Sequence, residues 1–340
     1  MKDVEPEKHS SVIDSRHAGL FLIDYLARRY TYLSRETWYG EIGAGRIALN
    51  GRPCNGSEAL VRGDTVTYSP PAREEPEVTV DYTILFEDDD FLLVDKPPNL
   101  PCHPSGMYRA NTLLSLLRAR FPAIRLVNRL DRETSGVLVA AKSAEAAARA
   151  CAAFAGTVAS CASANEGIAT GSVMKEYLVL VEGAFPGKLD ARGWLGPDTA
   201  SPVRKKIAFS SEKGDVACET SFELVGRYVF DDGSEGSLVR AVPVTGRTHQ
   251  IRATARSLGF PVVGDKLYGP DDGIYLRFVE GTMTEDDRRA LRMPHHALHC
   301  LRTTLALGDG LILSAEAPLP LTWPSGISPL LERSYRPAGG

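Results

Sequence analysis

Apolar and polar positions alternate along the chain with periods that change from segment to segment. LFLIDYLARR, Leu20 to Arg29, has helical spacing. Ser34 is placed to cap a second helix, RETWYGEIGAG, closing at Gly43 or Gly45. RIALNGRPC reads as strand, Asn-Gly turn, strand, and LVRGDTVTY adds a Gly-Asp turn and another strand. These elements form a compact unit ending near Ser69. YTILFEDDDFLLVDKPP predicts two strands around an acidic turn, stopped by Pro97 and Pro98. NTLLSLLRARF is an amphipathic helix with Asn111 as its cap, and SAEAAARACAAFAG an Ala-rich helix capped by Ser143. KEYLVLVEG is a strand, and THQIRATARSLGF a helix closed by Gly259.

The boundaries follow from composition. Residues 1–10 are expected to be a disordered tail and 11–70 a first domain. Residues 71–80, which include PAREEPEV, have the composition of a linker. Residues 81–335 form a second, larger domain. Inside it, GTVASCASANEGIATGSV, residues 156–173, is small and polar with no period, which predicts a flexible loop.

Charge interrupts one apolar region sharply. NRLDRETSG, Asn128 to Gly136, lies between AIRLV and VLVAA, two runs that read as buried strands. Four charged residues, Arg129, Asp131, Arg132 and Glu133, occupy the gap. An Asx turn with solvated neighbours is the bland reading. The flanking runs instead place Asp131 at the edge of a core, where Arg129 and Arg132 would keep its carboxylate ionised. An ionised, positioned carboxylate serves as nucleophile or base. In TGRTHQIRATARSLGF, His249, Arg252 and Arg256 fall on one helical face, which suits phosphate or a buried carboxylate. Tyr177, in Lys175-Glu176-Tyr177, is a core aromatic or a stacking platform for a base.

Overall charge limits the partners. The net charge is −4, so charge alone does not grip nucleic acid. Between Arg16 and Arg62, however, seven arginines face four acids, leaving a local net of +3. Hydrophobic residues make up 43% of the chain and charged residues 24%, as in ordinary globular proteins, and no apolar run is long enough for a membrane span. MKDVEPEKHSS lacks the character of a signal or transit peptide, so a cytoplasmic setting is expected. Six cysteines without a CxxC pair argue against a disulfide framework or a zinc site. His295, His296 and His299 read as a turn followed by a buried histidine rather than as metal ligands.

Taken in order, these stretches resemble the RluA-type family of pseudouridine synthases. NRLDRETSG is similar to that family's H-R-L-D-x-x-T-S-G motif. FEDDDFLLVDKPPNLPCHPSG, KEYLVLVEG, TGRTHQIRATARSLGFPVVGDKLYG and HALHCLRTTL resemble its other signatures, from about Asp81 onward. ETWYGEIGAGRIALNGRP…VRGDTVTY resembles, less strongly, the small RNA-binding domain typified by ribosomal protein S-four. Phe21 and Ile23 there replace the usual Arg and Asp. The resemblance implies an α+β protein: a catalytic domain with a mixed, largely antiparallel sheet and flanking helices, plus a small α/β N-terminal RNA-binding domain.

It also implies a reaction, the isomerisation of uridine to pseudouridine in structured RNA. Asp131 matches the nucleophile, Tyr177 the tyrosine packing on the target base, and Arg252 the partner of the aspartate. Arg129 matches the arginine that wedges into the RNA. Arg132, Arg247, His249 and Arg46 complete the expected RNA-binding set. No metal and no cofactor is implied. Large-subunit ribosomal RNA is the favoured partner and transfer RNA the runner-up, with no membrane and a monomeric enzyme. Asn128 and Thr254 depart from the family by standing where histidines are usual. A silent RNA-binding factor is the alternative from another class, disfavoured by the retained Asp131, Tyr177 and Arg252. A glycosidase would need Glu133 as a second carboxylate.

Overall fold

The computed structural model describes residues 8–31, 33–71, 75–156 and 168–334. The chain divides into two compact units, Met1–Glu74 and Glu75–Gly340. No helix among the described residues is long and apolar enough to cross a membrane.

In the first unit, β1 (His9–Val12) is followed by α1 (Leu22–Arg29), α2 (Arg35–Gly43), β2 (Ile47–Leu49), β3 (Arg52–Pro53) and β4 (Thr65–Tyr68). The strands pair antiparallel in the order β1-β4-β2-β3. Leu22, Ile23, Tyr25 and Leu26 of α1 form the buried stripe that the spacing predicted, packed with Trp38, Ile42, Ile47, Leu60 and Val66. Ser34 caps α2 by accepting from Thr37 N at 3.1 Å. Asn50 and Gly51 both have positive φ (52° and 74°), as a tight two-residue hairpin turn requires. The expected tail needs correction, because His9 and Ser10 already belong to β1. That strand turns Ser11 inward, where its hydroxyl meets Tyr25 Oη at 3.0 Å, and exposes Val12. It is held by backbone pairing, so no hydrophobic alternation marks it. Residues 1–7 lie outside the described residues.

The second unit is built on an eleven-stranded sheet. Its elements are β5 (Thr83–Glu87), β6 (Phe91–Lys96), α3 (Leu113–Arg120), β7 (Arg125–Leu126), β8 (Ser135–Ala141), α4 (Ala144–Gly156), β9 (Ser172–Glu182), β10 (Lys188–Pro197), β11 (Ile207–Ser210), β12 (Val216–Val229), β13 (Glu235–Pro243), α5 (Gln250–Ser257), α6 (Asp272–Glu280), α7 (Glu285–Leu291), β14 (Leu298–Ala306), β15 (Ile312–Glu316) and α8 (Ile327–Ser334). The strand order is β11-β10-β12-β13-β9-β14-β8-β6-β5, with β15 beside β14 and β7 beside β8. Every pairing is antiparallel except β14 with β8. This is the mixed, largely antiparallel sheet with flanking helices expected from the sequence. β8 is buried throughout, which explains its unbroken apolar run. At its start Gly136 has φ 106°, and a Cβ there would lie 2.2 Å from the Cys300 carbonyl oxygen. Only glycine permits that parallel approach.

Three local expectations change. Glu75 to Thr79, placed in the linker, are strapped to the second unit. The Glu75 carboxylate accepts from the backbone N–H groups of Ala110 and Asn111, both at 2.8 Å, and Thr79 N donates to Asn99 O. The cap of α3 is Thr112, whose hydroxyl accepts from Ser115 N at 3.2 Å, while Asn111 donates to Pro76 O. Of the expected loop 156–173, Gly156 ends α4, while Ser172 and Val173 open β9 and are buried. Residues 157–167 lie outside the described residues. Thr112→Ala should lower stability by about 1 kcal/mol, the usual value of a lost N-cap. Thermal unfolding checks this, with Asn111→Ala expected to cost less.

Candidate active site

Asp131 sits in the connection from β7 to β8, and several polar side chains shape that connection. Thr134 N donates to Asp131 O at 3.1 Å. Asn128 Oδ1 accepts from Val139 N at 2.9 Å, so this departure from the family histidine still pins the loop to β8. Lys96 is fully buried and donates to the carbonyls of Pro97, Leu100 and Arg132. Burial lowers its pKa to about 8. The loop is therefore braced before any ligand arrives.

The opposite wall is the turn leading into α5. Gln250, buried, accepts from Thr245 Oγ1 and Arg247 N, and donates to Glu219 O and Thr220 Oγ1. That clamp locks the turn onto β12. His249 takes a left-handed conformation (φ 54°) at the N-terminus of α5. Its Nδ1 is hydrogen-bonded to Tyr268 Oη at 3.0 Å, and its Nε2 lies 3.8 Å from Asp131 Oδ1.

Between the walls is a cleft of about 590 Å³, lined by Asp131, Tyr177, Arg252, Arg129, Arg247 and His249 among others. The three residues expected to carry chemistry and three of the five expected to bind RNA thus share one cavity. Its volume is in the range that holds a small ligand.

The electrostatics differ in one respect from the expectation that local pattern gave. Neither guanidinium adjacent in sequence holds Asp131. Arg132 turns away, donating to Tyr108 Oη at 2.8 Å and Glu133 Oε1 at 3.1 Å. Arg129 is exposed in the cleft wall. The holder is Arg252, whose Nη1 donates to Asp131 Oδ2 at 2.7 Å. The Arg252 fork itself engages Asp265, through Nε at 2.6 Å and Nη2 at 2.8 Å. Asp265, fully buried, also accepts from Leu267 N and Tyr268 N. Burial pushes the Asp131 carboxyl upward, but the Arg252 charge outweighs it, and the pKa lies below the ordinary aspartate value. The same contest takes Asp265 to about 2. Burial, then Arg252, lowers the His249 pKa, so that ring is neutral at neutral pH.

A second buried pair reinforces the loop. Lys266 Nζ donates to Glu133 Oε1 at 2.9 Å and to Pro294 O. His296 shares a hydrogen bond with Thr134 Oγ1 at 2.7 Å, and His299 one with Ser135 Oγ at 2.9 Å. Burial takes both imidazoles down to about 4. His296 and His299 therefore tie the Asp131 loop and the start of β8 to the chain entering β14 as neutral rings, and no group of metal-ligating side chains occurs among the described residues. Tyr177, on β9, lies across from Cys300 on β14, and burial raises its phenol well above the ordinary value. Thr254 is buried, its hydroxyl without a partner among the described residues. Arg256 is half-buried on α5, away from Asp131, close enough to Asp272 for its charge to be felt there. Arg46 belongs to the first unit, its fork engaged by the buried Glu41 at 2.6 and 2.8 Å.

Asp265, Lys266 and Gln250 carry no role that the sequence pattern alone suggests. Asp265 and Lys266 enter the sequence reading only as part of TGRTHQIRATARSLGFPVVGDKLYG, with no role of their own.

A family model described as RNA pseudouridylate synthase matches residues 90–257, a stretch holding Asp131, Tyr177 and Arg252. That stretch is similar to that family. Within the family, "RNA pseudouridine synthase 7" of Arabidopsis thaliana is 30% identical, covering 76% of this chain and 62% of that protein. "tRNA pseudouridine(32) synthase, mitochondrial" of Saccharomyces cerevisiae is 28% identical over 76% of this chain and 51% of its own length. The chain thus spans between about half and three-fifths of these two pseudouridine synthase relatives. "Ribosomal large subunit pseudouridine synthase C" of Salmonella typhi is 29% identical, covering 94% of this chain and 95% of that protein. The solved structure "Human RNA Pseudouridylate Synthase Domain Containing 1" shares the pseudouridine synthase fold, with a TM-score of 0.55, 24% identity, and coverage of 76% of this chain and 97% of that one.

Proposed function

We propose that this chain isomerises uridine to pseudouridine in structured RNA, with large-subunit ribosomal RNA as substrate. The observation that carries the reading is the ionised Asp131 carboxylate, held by one Arg252 N–H, facing a nucleotide-sized cleft above Tyr177. A uridine buried in folded RNA must leave its stack to reach such a cleft. The N1–C1′ bond breaks and a C5–C1′ bond forms, while C5 loses a proton and N1 gains one. Uracil is both leaving group and returning nucleophile, so the balance closes without a co-substrate.

The side chains divide the work. Asp131 Oδ1 makes no hydrogen bond with Arg252 and is open to the reacting atoms. Arg252 fixes Oδ2 and keeps the group ionised. Tyr177 is a neutral phenol at working pH and serves as an apolar floor for the base rather than as a phenolate. Arg129 and Arg247, exposed in the cleft, supply charge for phosphates or for the gap left by the base.

In the same reading the first unit is an RNA-binding domain of the ribosomal-protein-S-four kind, adding affinity. Arg28, Arg52 and Arg62 are exposed there and make no ion pair among the described residues. Ribosomal RNA is favoured over transfer RNA because the Salmonella relative aligns across both units. Tritium release from RNA labelled at uracil carbon-5 is the test. Ribosomal RNA lacking this activity in vivo should release tritium and unmodified transfer RNA should not. The reverse pattern would move the substrate to transfer RNA, and release from neither would remove the activity.

A further inference from the structure

Three cations in and near the cleft are committed to carboxylates. Arg252 serves Asp131 and Asp265, Lys266 serves Glu133, and Lys206 serves Asp272 at 2.5 Å and Asp198 at 3.7 Å. Next to Lys206, Arg204 and Lys205 are exposed, and neither makes an ion pair with a carboxylate among the described residues. Their segment is nonetheless held firmly. Val203 is buried, Ser201 Oγ donates to Asp272 at 2.5 Å, and Lys206 is itself buried. Lys205 Nζ rests over the Tyr275 ring, 4.4 Å from its centroid.

The segment adjoins the cleft through a short chain of contacts. Ile207 N donates to Tyr268 Oη at 3.4 Å, Tyr268 Oη is hydrogen-bonded to His249, and His249 lies against Asp131. Lys206 Nζ stands 6.0 Å from the Tyr268 ring centroid, and the Lys205 charge is felt at His249. β11, which the segment opens into, is fastened to α5 where Phe209 N meets Ser257 Oγ.

We infer that Arg204 and Lys205 form a braced cationic rim that binds the RNA phosphates flanking the target uridine, on the Tyr268 side of the cleft. The inference rests on the RNA reading above. Two uncommitted charges on an anchored turn lose little conformational freedom on binding, and phosphate accepts any correctly placed cation. A loop of the same charge tied down by its own acids would contribute nothing of the kind.

The test is the salt dependence of binding, measured from about 50 to 200 mM salt, on transcripts of large-subunit ribosomal RNA and of transfer RNA. Arg204→Gln/Lys205→Gln should lower the steepness of log K against log salt by roughly 1.5, at about 0.7–0.9 per lost phosphate contact. Arg204→Lys, which keeps the charge, should retain the wild-type slope. Lys188→Gln, an exposed lysine at the far end of β10, should do the same. If wild-type protein makes pseudouridine but the double variant keeps the wild-type slope, the rim is wrong and the activity stands. A slope lost equally in Lys188→Gln also overturns the rim. If wild-type protein neither binds RNA nor makes pseudouridine, both readings fall.

Discussion

Asp131→Asn should reduce pseudouridine formation by about 10⁴-fold or more, the scale seen when an enzyme loses its nucleophile or base. The amide is nearly the same shape, and its oxygen can still accept from Arg252 Nη1. It cannot attack carbon or accept a proton. The scaffold should persist, because the loop is held by other groups: Lys96 on three carbonyls, Asn128 on Val139, and Lys266 on Glu133. Single-turnover rates with carbon-5 tritiated RNA, alongside thermal unfolding and RNA binding, separate these effects. Turnover within a few-fold of wild type would remove Asp131 from the chemistry. The wild-type rate should also be flat from about pH 5 to 7, since Asp131 titrates below the ordinary aspartate value near 4. His296, taken down to about 4 by burial, brings no step near neutrality, and burial moves His249 in the same direction.

The fold was legible where hydrophobic period and chain chemistry agreed. The α1 stripe, the Ser34 cap, the Asn50-Gly51 turn and the buried run of β8 are local features, and each appears where its pattern put it. Elements held by backbone pairing or by distant side chains were not legible. β1 turns Ser11 inward and so lacks an apolar alternation. Glu75 is a cap for backbone N–H groups 35 residues away, which no local pattern encodes.

The site shows the same division. The sequence brought forward Asp131, Tyr177, Arg252, Arg129, Arg247 and His249, and all six line one cleft. Local pattern assigned the ionising charge to the sequence neighbours of Asp131, whereas the family resemblance named Arg252 as the partner of the aspartate. The actual arrangement pairs Asp131 with a guanidinium 121 residues away, itself oriented by a buried carboxylate 13 residues further on. Arg132 is drawn off by Glu133 and Tyr108, which folding brings within reach. A second layer of acids decides which arginine serves the first, and that layer is set by topology.

This geometry sharpens the expectation for Arg252→Lys. The fork of Arg252 makes two parallel bonds to Asp265 while its third nitrogen reaches Asp131. A lysine ammonium keeps the charge but cannot span both carboxylates in that arrangement. Asp265 is fully buried and holds backbone N–H bonds, so it should retain the ammonium, leaving Asp131 short of its partner. The Asp131 carboxyl then feels burial with less opposing charge, and its pKa must rise. Because the ionised form is the active one, the acid limb of the rate profile should move to higher pH, with part of the loss recovered on raising pH. At neutral pH we expect a fall of about 10²-fold, the scale for misplacing a reacting group by ~1 Å. Arg256, half-buried on α5, keeps its charge as lysine, so Arg256→Lys should change the rate by no more than about two-fold. Stability carries its own signature. The folded pKa of Asp265 is about 2, below its unfolded value, so its contribution is present above pH ~4 and is lost as pH falls toward 2. With a single ammonium in place of the fork, that pKa should rise, and acid unfolding should begin at a higher pH in Arg252→Lys than in wild type. Single-turnover rate and acid-unfolding profiles for both variants supply the measurement. A rate profile for Arg252→Lys with an unmoved acid limb would show that Arg252 does not set the ionisation of Asp131.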